Sequence, residues 1–154
     1  MKILLAIDDS KFSVAATQAV AALFRPEGTE VRVLHVVDLI PSITRYAGFG
    51  GSYPDIEAVR RETLKHSEEL VARAAHLLRG AGLNVTTSVE EGDPKTIIVD
   101  RAAEWKADLI VVGSHGRKGL ERFFLGSVAE GVARHAACAV QIVRLPAERL
   151  AKAA

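Results

Sequence analysis

Five short runs of aliphatic and β-branched residues, separated by stretches with helical periodicity, limit this chain to one kind of architecture. The runs are Ile3–Ile7, Val31–Val37, Val85–Val89, Leu109–Val112 and Val140–Val143. Between the first two, Phe12, Ala15, Ala16, Ala19, Val20 and Leu23 recur at the spacing of a buried helix face, with Ser10 as its N-cap and Pro26 and Gly28 closing it. A longer helix is expected from Asp55 to about Arg79, its inner stripe formed by Ile56, Val59, Thr63, Ser67, Val71, Ala74, Ala75 and Leu78, with Gly80 and Gly82 at its end. Gly92-Asp93-Pro94 is a compact helix start, Asp93 capping and Pro94 at the first helical position; Ile97, Ile98, Ala102 and Trp105 then mark the buried face. A fourth helix is expected over Val128–His135. The first two runs lack polar alternation, as parallel strands covered on both faces do, whereas Val85–Val89 alternates weakly and reads as a sheet edge. The order β-α-β-α-β-α-β-α-β predicts an α/β fold with an open, doubly wound, parallel five-stranded sheet.

Such sheets bind ligands beyond the carboxyl ends of their strands, where the winding direction reverses. Asp8-Asp9-Ser10 follows the first strand, Val36-Val37-Asp38 ends the second, and Gly113-Ser114-His115-Gly116 follows the fourth. With the first and fourth strands adjacent, these groups share one crevice. Gly113 and Gly116 lack Cβ atoms, so the chain can turn sharply there and a ligand can approach the main chain. Nine residues on, Gly126-Ser127 opens the fourth helix, whose first amides and dipole favour an anion; Ser127 can cap the helix or give its hydroxyl to a phosphate oxygen. Arg117, Lys118 and Arg122 add positive charge between the two corners. The stretch reads as a phosphate cradle. It meets neither the Walker spacing nor the dinucleotide fingerprint GxGxxG.

At 154 residues the chain is one ordinary domain, and its formal net charge of +1 gives no general attraction to nucleic acid or anionic membrane. Asp8-Asp9 cuts the first apolar run far short of a signal-peptide core or membrane span, so cytoplasmic residence is expected. Cys138, the single cysteine, sits among alanines and valine and is expected to be a buried structural thiol. His115 is expected in an exposed turn, and His66 and His76 on a solvent-facing helix without a third metal ligand. No Gly-x-Ser-x-Gly elbow is present. Residues 41–54 form a Gly-rich irregular segment, and residues 146–154 a peripheral tail to a domain spanning residues 1–145.

On these residues the chain resembles the universal stress proteins, specifically their ATP-binding branch. Gly113, Gly116, Gly126 and Ser127 fill the motif G-x2-G-x9-G-(S/T); Ile3–Asp8, Leu34–Val37, Gly92–Pro94 and Ala107–Gly116 match in support, over about residues 2–144. The resemblance implies a Rossmann-like domain of the stress response with ATP at the carboxyl edge of the sheet. By carry-over, Gly113, Gly116, Gly126, Ser127 and Val128 line the ribose and phosphates, and Ala6, Asp8, Val36 and Val112 surround the adenine and ribose. For Asp8 a second reading stands beside this one, a cap on the first helix. ATP, with or without Mg²⁺ held through its phosphates, is the implied cofactor, and a homodimer formed through the last strand is the implied assembly. Ala139 departs from the family, which usually has proline there. Three functions follow: a regulatory ATP-binding module, favoured because no clear catalytic set accompanies the cradle; a slow ATP hydrolase; or a nucleotide-free dimeric interaction protein. In the first, ATP orders residues 117–125 or 41–54 and changes the surface offered to a partner. Gly126→Val is expected to abolish nucleotide binding, with the fold retained, by filling the phosphate position.

Overall fold

Strand β1 (Lys2–Ala6) leads through Ser10 into helix α1 (Lys11–Leu23), then β2 (Glu30–Val37), α2 (Ile56–Gly80), β3 (Asn84–Glu91), α3 (Pro94–Trp105), β4 (Leu109–Gly113), α4 (Ser127–His135) and β5 (Ala139–Val143). This is a computed structural model, which describes residues 1–38, 55–116 and 125–145. The Gly-rich segment, the residues between Gly116 and Leu125, and the tail from Pro146 lie outside the described residues.

All strand pairs are parallel, and the sheet order is β3-β2-β1-β4-β5. The order turns back between β1 and β4, so their carboxyl ends form the switch point expected from the sequence. In register, Ala6 stands between Leu34 of β2 and Val112 of β4. β3 is an edge strand, as its weak alternation predicts, and β5 is the other edge.

Strand alternation divides the core into two layers. Ile3, Leu5, Ile7, Val31, Val33, Val85 and Val111 pack with Ala16 and Val20 of α1 and Val71, Ala75 and Leu78 of α2. Leu4, Ala6, Leu34, Val36, Ile110 and Val112 pack on the opposite face with Ile98 and Ala102 of α3 and Ala129 and Val132 of α4. The expected helix faces are correct at their centres and fail at their ends. Leu23 and Ile56 were expected inside, yet they are 65% and 54% exposed. For α2 the reason is length: its 25 residues extend about 38 Å, against about 26 Å for the eight of β3 that it covers, so its first turns overhang the sheet. Val59 and Thr63, near that overhang, are only half-buried, whereas Ser67 is fully enclosed.

The carboxyl end of β3 is clamped from both faces. Successive residues Glu90 and Glu91 point opposite ways, and each meets an arginine: Arg101 of α3 donates to Glu90 at 2.8 Å, and Arg60 of α2 to Glu91 at 2.7 Å. Both pairs are partly exposed, so they orient the edge more than they stabilise it. Arg60 holds the Glu91 carboxyl below the usual range, mainly through the hydrogen bond.

Candidate functional site

The switch point is assembled from the end of β1, the turn after β4 and the start of α4. The first is fixed by β2: the Ile7 amide donates to the Leu34 carbonyl at 2.9 Å, and buried His35 donates from Nδ1 to the Ile7 carbonyl at 2.7 Å. The adjacent Asp8 is therefore presented from an anchored backbone. Its Oδ1 accepts from the hydroxyls of Ser10 at 2.5 Å and Ser13 at 2.7 Å, while its amide donates to Ser13 Oγ at 2.8 Å. Asp8 does not cap α1; Ser10 does, accepting from the Ser13 amide. Ser13 is a residue the sequence reasoning missed, although serines two and five positions after an aspartate at a strand end are the visible signal of such a network.

The glycines of the motif have different jobs. None of Gly113, Gly116 or Gly126 has a left-handed φ; space, and not dihedral freedom, is what they supply. A Cβ on Gly113 would lie 2.8 Å from Phe12 Cβ and 2.9 Å from its carbonyl carbon, so this glycine admits the main chain of α1. A Cβ on Gly116 would meet Asp8 Oδ2 at 2.8 Å, which sets the β4 turn against the β1 carboxylate. On Gly126 a Cβ would crowd His115 Cα at 3.1 Å and the Ser114 carbonyl oxygen at 3.2 Å. The Gly126 amide donates to that same carbonyl at 2.8 Å, while the Ser114 amide is tied to the Val143 carbonyl of β5. Across the interval in sequence, the two corners touch through their backbones.

Helix α4 begins one residue earlier than expected. Gly126 is extended, with φ −62° and ψ 150°, and occupies the N-cap position; Ser127 is the first helical residue. Ser127 therefore does not cap the helix, and among the described residues no side chain does. Its exposed side chain stands at the start of the first turn. Ala6, Val36 and Val112 are buried in the α3/α4 layer, and half-buried Val128 packs against the same layer. Thus all nine candidate residues gather at the switch point: three apolar side chains as a floor, Asp8 on the β1 side, and the glycine corners with Ser127 and Val128 at the rim.

His115 is not in an exposed turn. Its ring lies 5.1 Å from that of Phe12, its Nδ1 is 3.1 Å from Ser114 Oγ, and its Nε2 is buried without a hydrogen-bond partner among the described residues. His66 and His76 are exposed as expected, His66 Nε2 reaching Asp9 at 3.2 Å. Cys138 is half-buried, and desolvation raises its thiol pKa above the ordinary value. Among the described residues no three His, Cys, Asp or Glu side chains converge as metal ligands, and no helix is long and apolar enough to cross a membrane.

The floor, the fixed carboxylate and the uncapped helix start fit a nucleoside with an anionic tail. Apolar walls suit a base, Asp8 can accept from hydroxyls, and first-turn amides suit a phosphate. Known proteins of similar sequence and shape agree on the kind of molecule this is. Universal stress protein MJ0531 of Methanocaldococcus jannaschii is 34% identical over 145 residues, spanning 94% of this chain and 82% of its own. The solved structure of hypothetical protein MJ0577 superposes with a TM-score of 0.82 at 26% identity, covering 95% of this chain and 96% of the other. A universal stress protein crystallised in complex with cAMP gives a TM-score of 0.57 at 26% identity, covering 93% and 95% of the two chains. The model of the universal stress protein family matches residues 1–144, and on that match the chain belongs to this family.

Proposed function

We propose that this protein binds an adenine nucleotide, ATP in particular, at the carboxyl edge between β1 and β4, and works as a regulatory module of the stress response. The observation that carries the reading is the backbone contact between the Ser114–Gly116 turn and Gly126, which puts a helix start without a side-chain cap beside the Asp8 carboxylate. The relative crystallised with cAMP lends support, since its ligand carries the same base and a phosphate.

In this reading the adenine rests on the Ala6, Val36 and Val112 floor, and Asp8 accepts from the ribose hydroxyls. The Ser127 and Val128 amides, with the Ser127 hydroxyl, receive a phosphate that Gly116 and Gly126 leave room to approach. The nucleotide supplies the charge and the ribose hydroxyls; any Mg²⁺ is carried by its phosphates. Both hydroxyls that donate to Asp8 hold it as a fixed acceptor, a role that suits recognition better than proton transfer. The outer edge of β5, which pairs with no strand among the described residues, is where two copies join, extending the sheet pairing between protomers.

Acid extraction of the purified protein, followed by identification of the released nucleotide, tests the binding reading together with calorimetric titration of the emptied protein by ATP. Saturable ATP binding at one site per chain is expected. Protein that carries no nucleotide and gives no heat with ATP would remove the reading and leave a nucleotide-free interaction protein.

A further inference from the structure

Helix α4 has a notch one turn beyond its start. A Cβ built on Gly131 would fall 2.7 Å from Lys95 Cδ and 2.9 Å from its Cγ, so the stem of Lys95, reaching across from the first turn of α3, fills the place where a side chain at position 131 would lie. Helical Cβ atoms tilt toward the N-terminus and cover the preceding turn. The Cα–Cβ bond of Lys95 itself tilts toward the start of α3, at the same carboxyl edge of the sheet where α4 begins, and its ammonium is two bonds beyond the Cδ that packs at Gly131, four residues after Ser127.

Among the described residues Lys95 makes no hydrogen bond or ion pair. The nearby carboxylates are taken. Asp93 accepts from the Thr96 amide at 3.0 Å and hydroxyl at 2.8 Å, and Lys95 contributes least among the causes that lower its pKa. Glu130, beside the notch, pairs with Arg134 at 2.8 Å. Gly131, where the Lys95 stem rests, is about one helical turn, about 5.4 Å, from the helix start, so two positive elements attend α4: that start and the Lys95 ammonium. One phosphate can occupy the first; a second or third phosphate on the same tail reaches the other.

Resting on the nucleotide reading above, we propose that Lys95, seated in the Gly131 notch, contacts the outer phosphates and makes the site prefer a nucleoside di- or triphosphate to a monophosphate. The test is calorimetric affinity for ATP and for AMP in the wild-type protein and in Lys95→Met, Lys95→Arg and Gly131→Ala. Wild type should prefer ATP. Lys95→Met should lose about tenfold in ATP affinity with AMP nearly unchanged, and Lys95→Arg should keep most of the preference. Gly131→Ala should push the lysine stem aside and weaken ATP binding while raising Tm by about 3 °C, because alanine favours the helix; a purely structural role for the notch would not give opposite signs. An unchanged ATP-to-AMP ratio in Lys95→Met overturns the assignment to Lys95 and leaves the nucleotide site standing, whereas a wild-type protein that binds neither nucleotide overturns both.

Discussion

Helices α3 and α4 lie side by side on one face of the sheet, both rising from its carboxyl edge, and they begin in opposite ways. The start of α3 is closed by its own chain: Asp93 caps the Thr96 amide, and Pro94 removes one amide that would otherwise lack a partner. Ser10 and Asp55 close α1 and α2 similarly. At α4 the N-cap is Gly126, which brings no side chain, while its amide is spent on the Ser114 carbonyl. Three helix starts are closed by a side chain at the N-cap, and among the described residues the fourth is not. The same contrast runs through the glycines, since Gly113 makes room for α1 whereas Gly116 and Gly126 bring two corners of the rim together.

The most severe way to break this contrast is Gly126→Val. The side chain would press on the main chain of residues 114–116 rather than fill the phosphate position, so the corners separate and the site loses its geometry. ATP binding should fall below calorimetric detection, with Tm also lowered; the expectation from sequence that the fold is untouched is thereby revised.

A smaller effect of opposite kind is expected at α3. Asp93→Ala should cost about 1 kcal/mol of stability in denaturant unfolding, the usual worth of an N-cap, without lowering ATP affinity. This cap also sets a pH dependence. Hydrogen bonds from Thr96 hold the Asp93 carboxyl below its ordinary 3.8, and Arg60 holds Glu91 below 4.5. Groups depressed in the folded state stabilise fully above their unfolded pKa values and lose that contribution as the pH falls through the folded ones. Stability should therefore decline as the pH drops below about 4, and Asp93→Ala should show a shallower decline in acid unfolding curves.

The smallest effect concerns Cys138, whose thiol desolvation holds in the neutral form at pH 7. Alkylation by iodoacetamide should be slower than for a free thiol and should leave ATP affinity unchanged.

Much of this was legible in the residues. The strand and helix order, the edge position of β3, and the caps Ser10 and Asp93 follow from local chemistry, because each depends on neighbours a few positions away. What was misread depends on distant contacts or on backbone dihedrals. His115 looks like a turn residue beside glycine, but Phe12, a hundred positions earlier, covers its ring. Ser127 looks like a cap because serine usually is one; the extended Gly126 takes that place, and no composition rule fixes which of the two residues turns first. Ile56 follows the helical stripe correctly, and only the relative lengths of α2 and the sheet leave it outside. The Lys95 and Gly131 notch carries no motif in sequence, since it requires α3 and α4 to be placed side by side.

The central claim is that the start of α4 is kept for a ligand's anionic tail. Amide NMR during titration with ATP reads it directly. The Ser127 and Val128 amides, with those of Gly116 and Gly126, should show the largest shifts, while Glu57 and Ala58 at the capped start of α2 stay in place. Saturating ATP that leaves Ser127 and Val128 unmoved would contradict the account.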